Sequence, residues 1–329
     1  MKRRKTRVPR SARGIPFWMR KLGQLWRLVR ESHAMPLEGE PRLPLAAANH
    51  EAAITFIGHS SFLLQLGGHN ILIDPVFAKR LILLRRKRVA GIRVSDLPRI
   101  DAVLLTHAHM DHLNRPSLRS VTREMRRRNV PAPIAIVPHG VEDLVADLGF
   151  SAVESLRWWQ STHLGDTAPL HITMTPAKHW GARLFSDTHR GFGGYLLESP
   201  GSPRVYHSGD TAYFHGFTEI GRKLKPEIAL LPIGAYYPDS YRAVHTSPEE
   251  ALQAFFDLGA ERMVPMHYNT FRLGREPMDE PLPRLMRAAE AANIEDCIYP
   301  LAEGETWLVP ADLAESGCNL SLADRNAAD

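Results

Sequence analysis

The chain has almost no cysteine: Cys297 and Cys318 are the only two among 329 residues. Two thiols without motif spacing make neither a disulfide framework nor a thiolate zinc site, and they suit a reducing compartment. A long apolar run is missing as well. Nothing approaches the roughly 18 residues that a membrane-spanning helix needs, which excludes an integral helical membrane protein. The remainder is ordinary: 44% hydrophobic and 23% charged residues describe a folded chain, not a disordered, collagenous or coiled-coil one. The length allows one large domain or two medium ones, each with a proper core.

Acidic residues are nearly absent from the first 33 positions. Eleven Lys/Arg face one acid, Glu31, so this leader carries +10 and the rest of the chain −5 of the net +5. The basic balance therefore belongs to the leader. No nucleic-acid partner is expected, because a nucleic-acid-binding body carries the basic surface itself. Two basic clusters in the body, residues 85–88 and 126–128, read as solvated faces or loops. The leader lacks the apolar stretch and small-residue cleavage site of a secretory signal. Residues 17–30 instead carry a helical stripe, with Trp18, Leu22, Leu25 and Val29 on one face and Arg20 and Arg27 opposite. Two readings follow: residues 1–33 dock reversibly on an anionic membrane surface, or the helix packs on the body. A Pro-rich connection, MPLEGEPRLP (35–44), comes next. The chain thus divides into leader and connection (1–44), a body (45–311) and a C-terminal tail (312–329).

From about Ala53 the pattern is strand-rich and then alternates strands with helices. ITFIG and SFLLQL flank a short turn, and NILIDP is a strand ending at Asp74. DAVLLTHAHMDH begins as a buried strand over 103–105 and runs into a histidine-laden loop. Helices are expected over 115–128, 141–148, 248–258 and 282–292. Strands are expected over 134–137 and near 171–175, 194–198, 205–207, 228–231 and 262–265. Two successive strand-then-helix blocks point to two sheets packed face to face with helices outside.

The chemistry is concentrated in THAHMDHL, residues 106–113. His107, His109, Asp111 and His112 spell H-x-H-x-D-H directly after a buried strand. Imidazole nitrogens and carboxylate oxygens suit zinc and neighbouring divalent metals. Four such side chains in so short a loop cannot all reach one ion. Alternation points His107 and His109 one way and lets Asp111 with His112 serve a second ion a few ångströms off.

This motif resembles the signature of the metallo-β-lactamase fold, and further markers follow in order: Asp74 in ILIDP, His179 in TPAKHW, Asp210 in HSGDTAYF and His267 in VPMHYNTF. GHSSFLL, TPAKHW, GDTAYF, LPIGAYYP and HTSPEEA more narrowly resemble the branch of N-acylphosphatidylethanolamine-hydrolysing phospholipases D. The resemblance covers roughly residues 53–310. It implies an α+β fold, a four-layer αβ/βα sandwich of two facing mixed sheets with outer helices, making 45–311 a hydrolase domain. It also implies two divalent ions, zinc first among them. His107, His109 and His179 would hold one ion and Asp111, His112 and His267 the other, with Asp210 bridging. A metal-bridging hydroxide is then the nucleophile, oriented by Asp111, while Asp74 hydrogen-bonds the ligand loop or a ligand imidazole. The chain departs from the family at Met110, where an aromatic residue is usual, and at Asn114, where an acid is usual. The basic, hydrophobic insert at 80–93 has no clear counterpart and reads as a loop overhanging the site or as plain surface.

His245 in AVHTSPEEA precedes a helix start, with Thr246 or Ser247 as the cap, Pro248 early in the helix and Glu249 and Glu250 in its first turn. The cap does not explain the histidine, which reads as a substrate-facing acid–base group or as a locally bonded loop residue. His59 in GHSS lines the site or closes a strand turn. Trp180, Tyr213, Tyr236 and Tyr237 shape a pocket or fill the core. The expected function is a dinuclear-zinc hydrolase, a phosphodiesterase acting on a phospholipid-like or other small-molecule phosphodiester. The alternatives are a lactonase or ester hydrolase of the ascorbate-phosphate lactonase type and a non-catalytic metal-dependent binding protein. The expected location is the cytoplasm, peripheral to a membrane if the leader docks there. Oligomeric state stays open, with a homodimer among the options.

Overall fold

The computed structural model describes residues 17–47, 52–167, 169–183, 187–310 and 313. In chain order the strands are β1 (Ala52–Gly58), β2 (Ser61–Leu66), β3 (His69–Ile73), β4 (Arg80–Leu81), β5 (Leu84–Arg85), β6 (Ala102–Leu104), β7 (Ile134–Pro138) and β8 (Ala152–Leu156). They continue with β9 (Ser161–Leu164), β10 (Leu170–Thr175), β11 (Gly194–Glu198), β12 (Val205–His207), β13 (Ile228–Pro232), β14 (Arg262–Met266) and β15 (Thr306–Val309). The helices are α1 (Phe17–Ala34), α2 (Arg115–Arg127), α3 (Gly216–Leu224), α4 (Pro248–Leu258) and α5 (Pro281–Ala291).

Apolar residues occupy both faces of the central strands, which is why the sequence shows runs there instead of alternation. In β2, Phe62, Leu64 and Leu66 enter the core between the two sheets, while Leu63 faces the outer layer that holds Leu118, Val121 and Met125 of α2. In β13, Ile228 and Leu230 enter that same central core. Ala229 and Leu231 meet Phe217 and Ile220 of α3, Phe255 of α4 and Leu285 of α5. Strand periodicity thus builds three apolar interlayers and four layers. The first sheet has the order β15-β1-β2-β3-β6-β7-β8 and the second β14-β13-β12-β11-β10-β9. Both are mixed, as expected. β4 and β5 form a separate hairpin.

Local chemistry sets the helix starts. Asn114 caps α2 by accepting from the Ser117 backbone N–H, so an amide does there what a carboxylate would do. Ser247 caps α4 in a full capping box with Glu250. The helix expected over 141–148 does not form; the chain makes only a short 3-10 turn at Glu142–Leu144. Gly140 and Gly149, both at positive φ, bound just eight residues, too few to repay helix nucleation.

Of the two readings of the leader helix, packing on the body holds for its C-terminal end: Val29 of the apolar stripe is buried together with Leu28 and Ser32. Ser32 Oγ accepts from the Arg85 backbone N–H of β5, and Glu31 pairs with Arg272 at 3.0 Å. The C-terminal turns of α1 are therefore docked; the side chains of Trp18, Leu22 and Leu25 lie outside the described residues. The Pro-rich connection is also tied down, exchanging backbone hydrogen bonds between Glu38 and both Lys87 and Val89. Among the described residues no helix is long and apolar enough to cross a membrane. Cys297 is buried and disulfide-bonded, which withdraws the cysteine argument for a reducing compartment.

Candidate metal centre

The motif residues converge because they all follow strands that point the same way. β3 and β6 are parallel, so Asp74 and residues 106–112 leave the first sheet at one end. β1, two antiparallel steps from β3, brings His59 to that end. In the second sheet β12, β13 and β14 are parallel, and β10 shares their direction through two antiparallel steps. The chain beyond β10, β12 and β14 then supplies His179, Asp210 and His267.

One group of side chains comprises His107, His109 and His179. His107 Nε2 and His179 Nε2 lie 2.9 and 3.2 Å from His109 Nδ1. Nitrogen donors on a tetrahedral zinc with bonds of about 2.0–2.1 Å sit about 3.3 Å apart, so this spacing fits one ion. The outer nitrogens fix the tautomers. His179 Nδ1 donates to the Val244 carbonyl at 2.8 Å, which leaves Nε2 its lone pair. His107 Nδ1 donates to Thr106 Oγ1, and that hydroxyl donates to Asp74 Oδ2 at 2.6 Å. Burial, then neighbouring imidazoles, hold His107 well below the usual histidine range, and burial does the same to His179.

A second group holds His59, Asp111, His112 and His267. His112 Nδ1 donates to Asp74 Oδ2 at 2.7 Å, which turns Nε2 inward. Asp74 therefore serves both the loop, through Thr106, and a ligand-type imidazole, as a carboxylate behind a metal site does. Asp210 Oδ2 lies 3.0 Å from His267 Nε2, 3.2 Å from His112 Nε2 and 3.9 Å from His107 Nε2, so it faces both groups. Burial opposes charge on His112 and His267. The carboxylates outweigh it, Asp210 foremost, raising His112 well above the usual range and His267 to about 9. His112 Nε2 and His267 Nε2 are buried and face no acceptor nearer than Asp210 Oδ2, and Asp210 Oδ1 is buried without a hydrogen-bond partner. Buried polar atoms rarely stay unpaired, and these belong to the donor types that divalent metals select, so the residues fit the ions.

The backbone is strained around these donors. His59, Asp74 and His267 all adopt positive φ, a region that residues other than glycine avoid. Gly209, directly before Asp210, is at φ 62°, and a Cβ there would meet the Gly193 carbonyl at 2.7 Å. That turn aims Asp210 inward, ahead of α3, whose N-cap is His215.

His59, in the turn between β1 and β2, is buried and lines the site, its Nε2 3.1 Å from Asp111 Oδ2. Burial, then His267, lower its pKa to about 3. His245 enters the donor cluster itself, its Nδ1 3.8 Å from Asp210 Oδ2, and burial lowers it to about 4. An adjoining cavity of about 360 Å³ is bounded by His109, Asp111, Asp210 and His245, by apolar Met110, Trp180 and Leu273, and by Arg183 and Tyr241. Of the four aromatic residues considered for a pocket, Trp180 lines this one. Tyr213 bonds Asp257, Tyr236 bonds Glu280 and Tyr237 is exposed, and none of the three lines it. Sequence reasoning missed Thr106, Arg183 and Tyr241. Arg183 Nη1 donates to the carbonyls of Ala108 and Leu113, clamping the ligand loop from across the chain. No local signal marks it. Thr106 could have been found, since it opens the motif.

Two sheets, outer helices and a histidine–aspartate cluster at the strand ends define a metal-dependent hydrolase of the metallo-β-lactamase type. Residues 69–268 match the Beta-lactamase superfamily domain, and the chain belongs to that family. It is 32% identical to an uncharacterized protein of Mycobacterium tuberculosis over 82% of this chain and 74% of that protein. The mitochondrial N-acyl-phosphatidylethanolamine-hydrolyzing phospholipase D of Saccharomyces cerevisiae is 31% identical, over 84% of this chain and 62% of its own length. Among solved structures, a metallo hydrolase from Ignicoccus hospitalis matches with a TM-score of 0.60 and 29% identity, covering 78% of this chain and 98% of the other.

Proposed function

We propose that this metal-dependent hydrolase is a phosphodiesterase acting on phospholipid-like substrates with two zinc ions. The observation that carries the reading is Asp210, whose one carboxylate faces both donor groups at the floor of a cavity with largely apolar walls. Two such ions supply activated water at neutral pH and polarise the phosphoryl group. The chain's own residues do the rest. Asp74, through Thr106 and His112, fixes which imidazole nitrogens face inward. Asp111 and Asp210 neutralise the centre and hold its two halves together. His245, neutral at physiological pH, borders the cavity and can donate an N–H to a phosphate oxygen or a leaving oxygen. Met110, Trp180 and Leu273 offer apolar surface to a lipid chain. The yeast and Caenorhabditis elegans relatives named as N-acyl-phosphatidylethanolamine-hydrolyzing phospholipases D support the same substrate class.

The test is turnover by the zinc-loaded protein on parallel phosphodiester, lactone and carboxylic-ester panels, with Asp210→Ala as the blank. Phosphodiester cleavage that the blank lacks is the expected result. Cleavage confined to lactones or esters transfers the assignment to that chemistry, and full metal occupancy with no turnover on any panel leaves a metal-dependent binding protein.

A further inference from the structure

The insert between β3 and β6 is not absorbed by any of this chemistry. Its base is fixed. Leu81 is buried against Val76 and Phe271, the guanidinium of Arg86 is fully buried and donates to the Val76 carbonyl, and the Lys87 backbone N–H donates to the Thr270 carbonyl. Its tip is the opposite. Ile82 and Leu83, the two residues turning β4 into β5, are 71% and 45% exposed. Ile82 also sits at φ 52°. A β-branched side chain in the left-handed region is a true outlier, and asparagine or glycine would form the turn with less strain. An exposed, strained isoleucine beside an exposed leucine is what a folded chain avoids unless those side chains have a use.

The charge around the tip indicates the use. Between Asp74 and Asp96 the sequence holds seven Lys/Arg and no acid; Arg86 is buried, Arg88 pairs with Glu38 and Glu303 and Arg93 with Asp96, which leaves Lys79, Arg80 and Arg85 as the bases nearest the tip. Lys79 and Arg80, next to the tip, are exposed. The hairpin also borders the metal centre. Leu81 shares its small apolar cluster with Leu84 and Leu273, and Leu273 is a wall of the cavity. Apolar side chains in front of a basic field, at the rim of an apolar cavity, match the boundary of an anionic bilayer: hydrocarbon for the tip, phosphate for the bases.

We propose that the β4–β5 hairpin is an interfacial anchor, inserting Ile82 and Leu83 among the headgroups of an anionic lipid surface so that the cavity faces the membrane. The anchor lies in the body of the fold and is separate from the leader. It does not depend on which bond the metal centre cuts, because its readout is binding.

The experiment is co-sedimentation of the full-length protein with vesicles of phosphatidylglycerol and phosphatidylcholine in equal parts, against phosphatidylcholine alone. The variant is Ile82→Asn with Leu83→Ser, which keeps residues 1–33 and gives the left-handed position a residue that tolerates it. Wild type should bind the anionic vesicles, less so as salt rises, and the double variant should bind about tenfold or more weakly. Its thermal midpoint and metal content should match wild type. Lys79→Glu with Arg80→Glu should weaken binding and flatten the salt dependence. Unchanged partition of the double variant overturns the proposal and hands any membrane binding to the leader. Failure of wild type to bind either vesicle overturns it too, leaving the tip to a protein partner, and equal binding to both vesicles removes the charge argument on which it stands.

Discussion

The two halves of the metal centre are built from different materials. His107, His109 and His179 are three imidazoles held neutral by burial, with no carboxylate of their own beyond a distant share of Asp210. Asp111, His112 and His267 mix imidazole with carboxylate, and the acids draw protons onto the bases. The first half is prepared for a cation by tautomer, since hydrogen bonds outside the cluster leave the Nε2 lone pairs of His107 and His179 pointing in. The second is prepared by charge. A cation entering the first half displaces little, whereas one entering the second competes with protons already there.

The largest effect should come from removing what the halves share. Asp210→Ala deletes the carboxylate facing both, so activity should fall by about 10³-fold or more while the fold persists. Metal analysis should show fewer than two ions per chain, and circular dichroism should be unchanged. Retention of both ions and of activity would separate the halves and defeat the shared-carboxylate arrangement.

His245 lies beside the second half but also borders the cavity, and His245→Ala asks which matters. As a group facing substrate it should keep both ions and lower kcat/KM by about 10²-fold. If one ion is lost with the activity, His245 belongs to the donor set, and its sequence reading as a substrate group is wrong.

How much of this was legible in the sequence depends on distance along the chain. The donors of the ligand loop were visible because His107, His109, Asp111 and His112 sit within one short motif. Asp74, His179, Asp210 and His267 needed the family resemblance, since nothing local marks a lone histidine after a strand. The inner strands were readable from apolar runs buried on both faces. β8, β9 and β15 went unread because they are short edge strands with largely exposed or half-exposed side chains, which carry neither a run nor a clean alternation. α3 went unread because Gly216 and Gly221 dilute its helical signal. Arg183 acts through backbone carbonyls, which only the folded geometry reveals, whereas Thr106 stands at the head of the motif and only its hydroxyl relay to Asp74 needed the structure.

Asp74 sharpens the comparison further. It accepts directly from His112 Nδ1 in the second half but reaches His107 only through Thr106. Asp74→Asn should therefore weaken the second ion more than the first, within the 10- to 100-fold range typical of such supporting carboxylates. Zinc titration against a chelator of known affinity would read both steps, and equal weakening of the two would show that Thr106 transmits as strongly as the direct bond.

The mildest test is pH. In the metal-free protein His267 titrates at about 9 and His112 above its usual range, so both rings hold protons at neutral pH. Their pKa values are raised, so each proton is bound below that value and lost above it. A metal ion must displace those protons, and its affinity for the second half should rise with pH by up to about tenfold per unit for each proton displaced, levelling off once pH passes the pKa of the last ring. His107 and His179 are shifted well below 6.5, so they are already unprotonated at neutral pH and the first ion should bind with little pH dependence over the same interval. Calorimetric titration in buffers of differing ionisation enthalpy would count the protons released at each step. Equal release at both steps would erase the distinction between a half prepared by tautomer and a half prepared by charge.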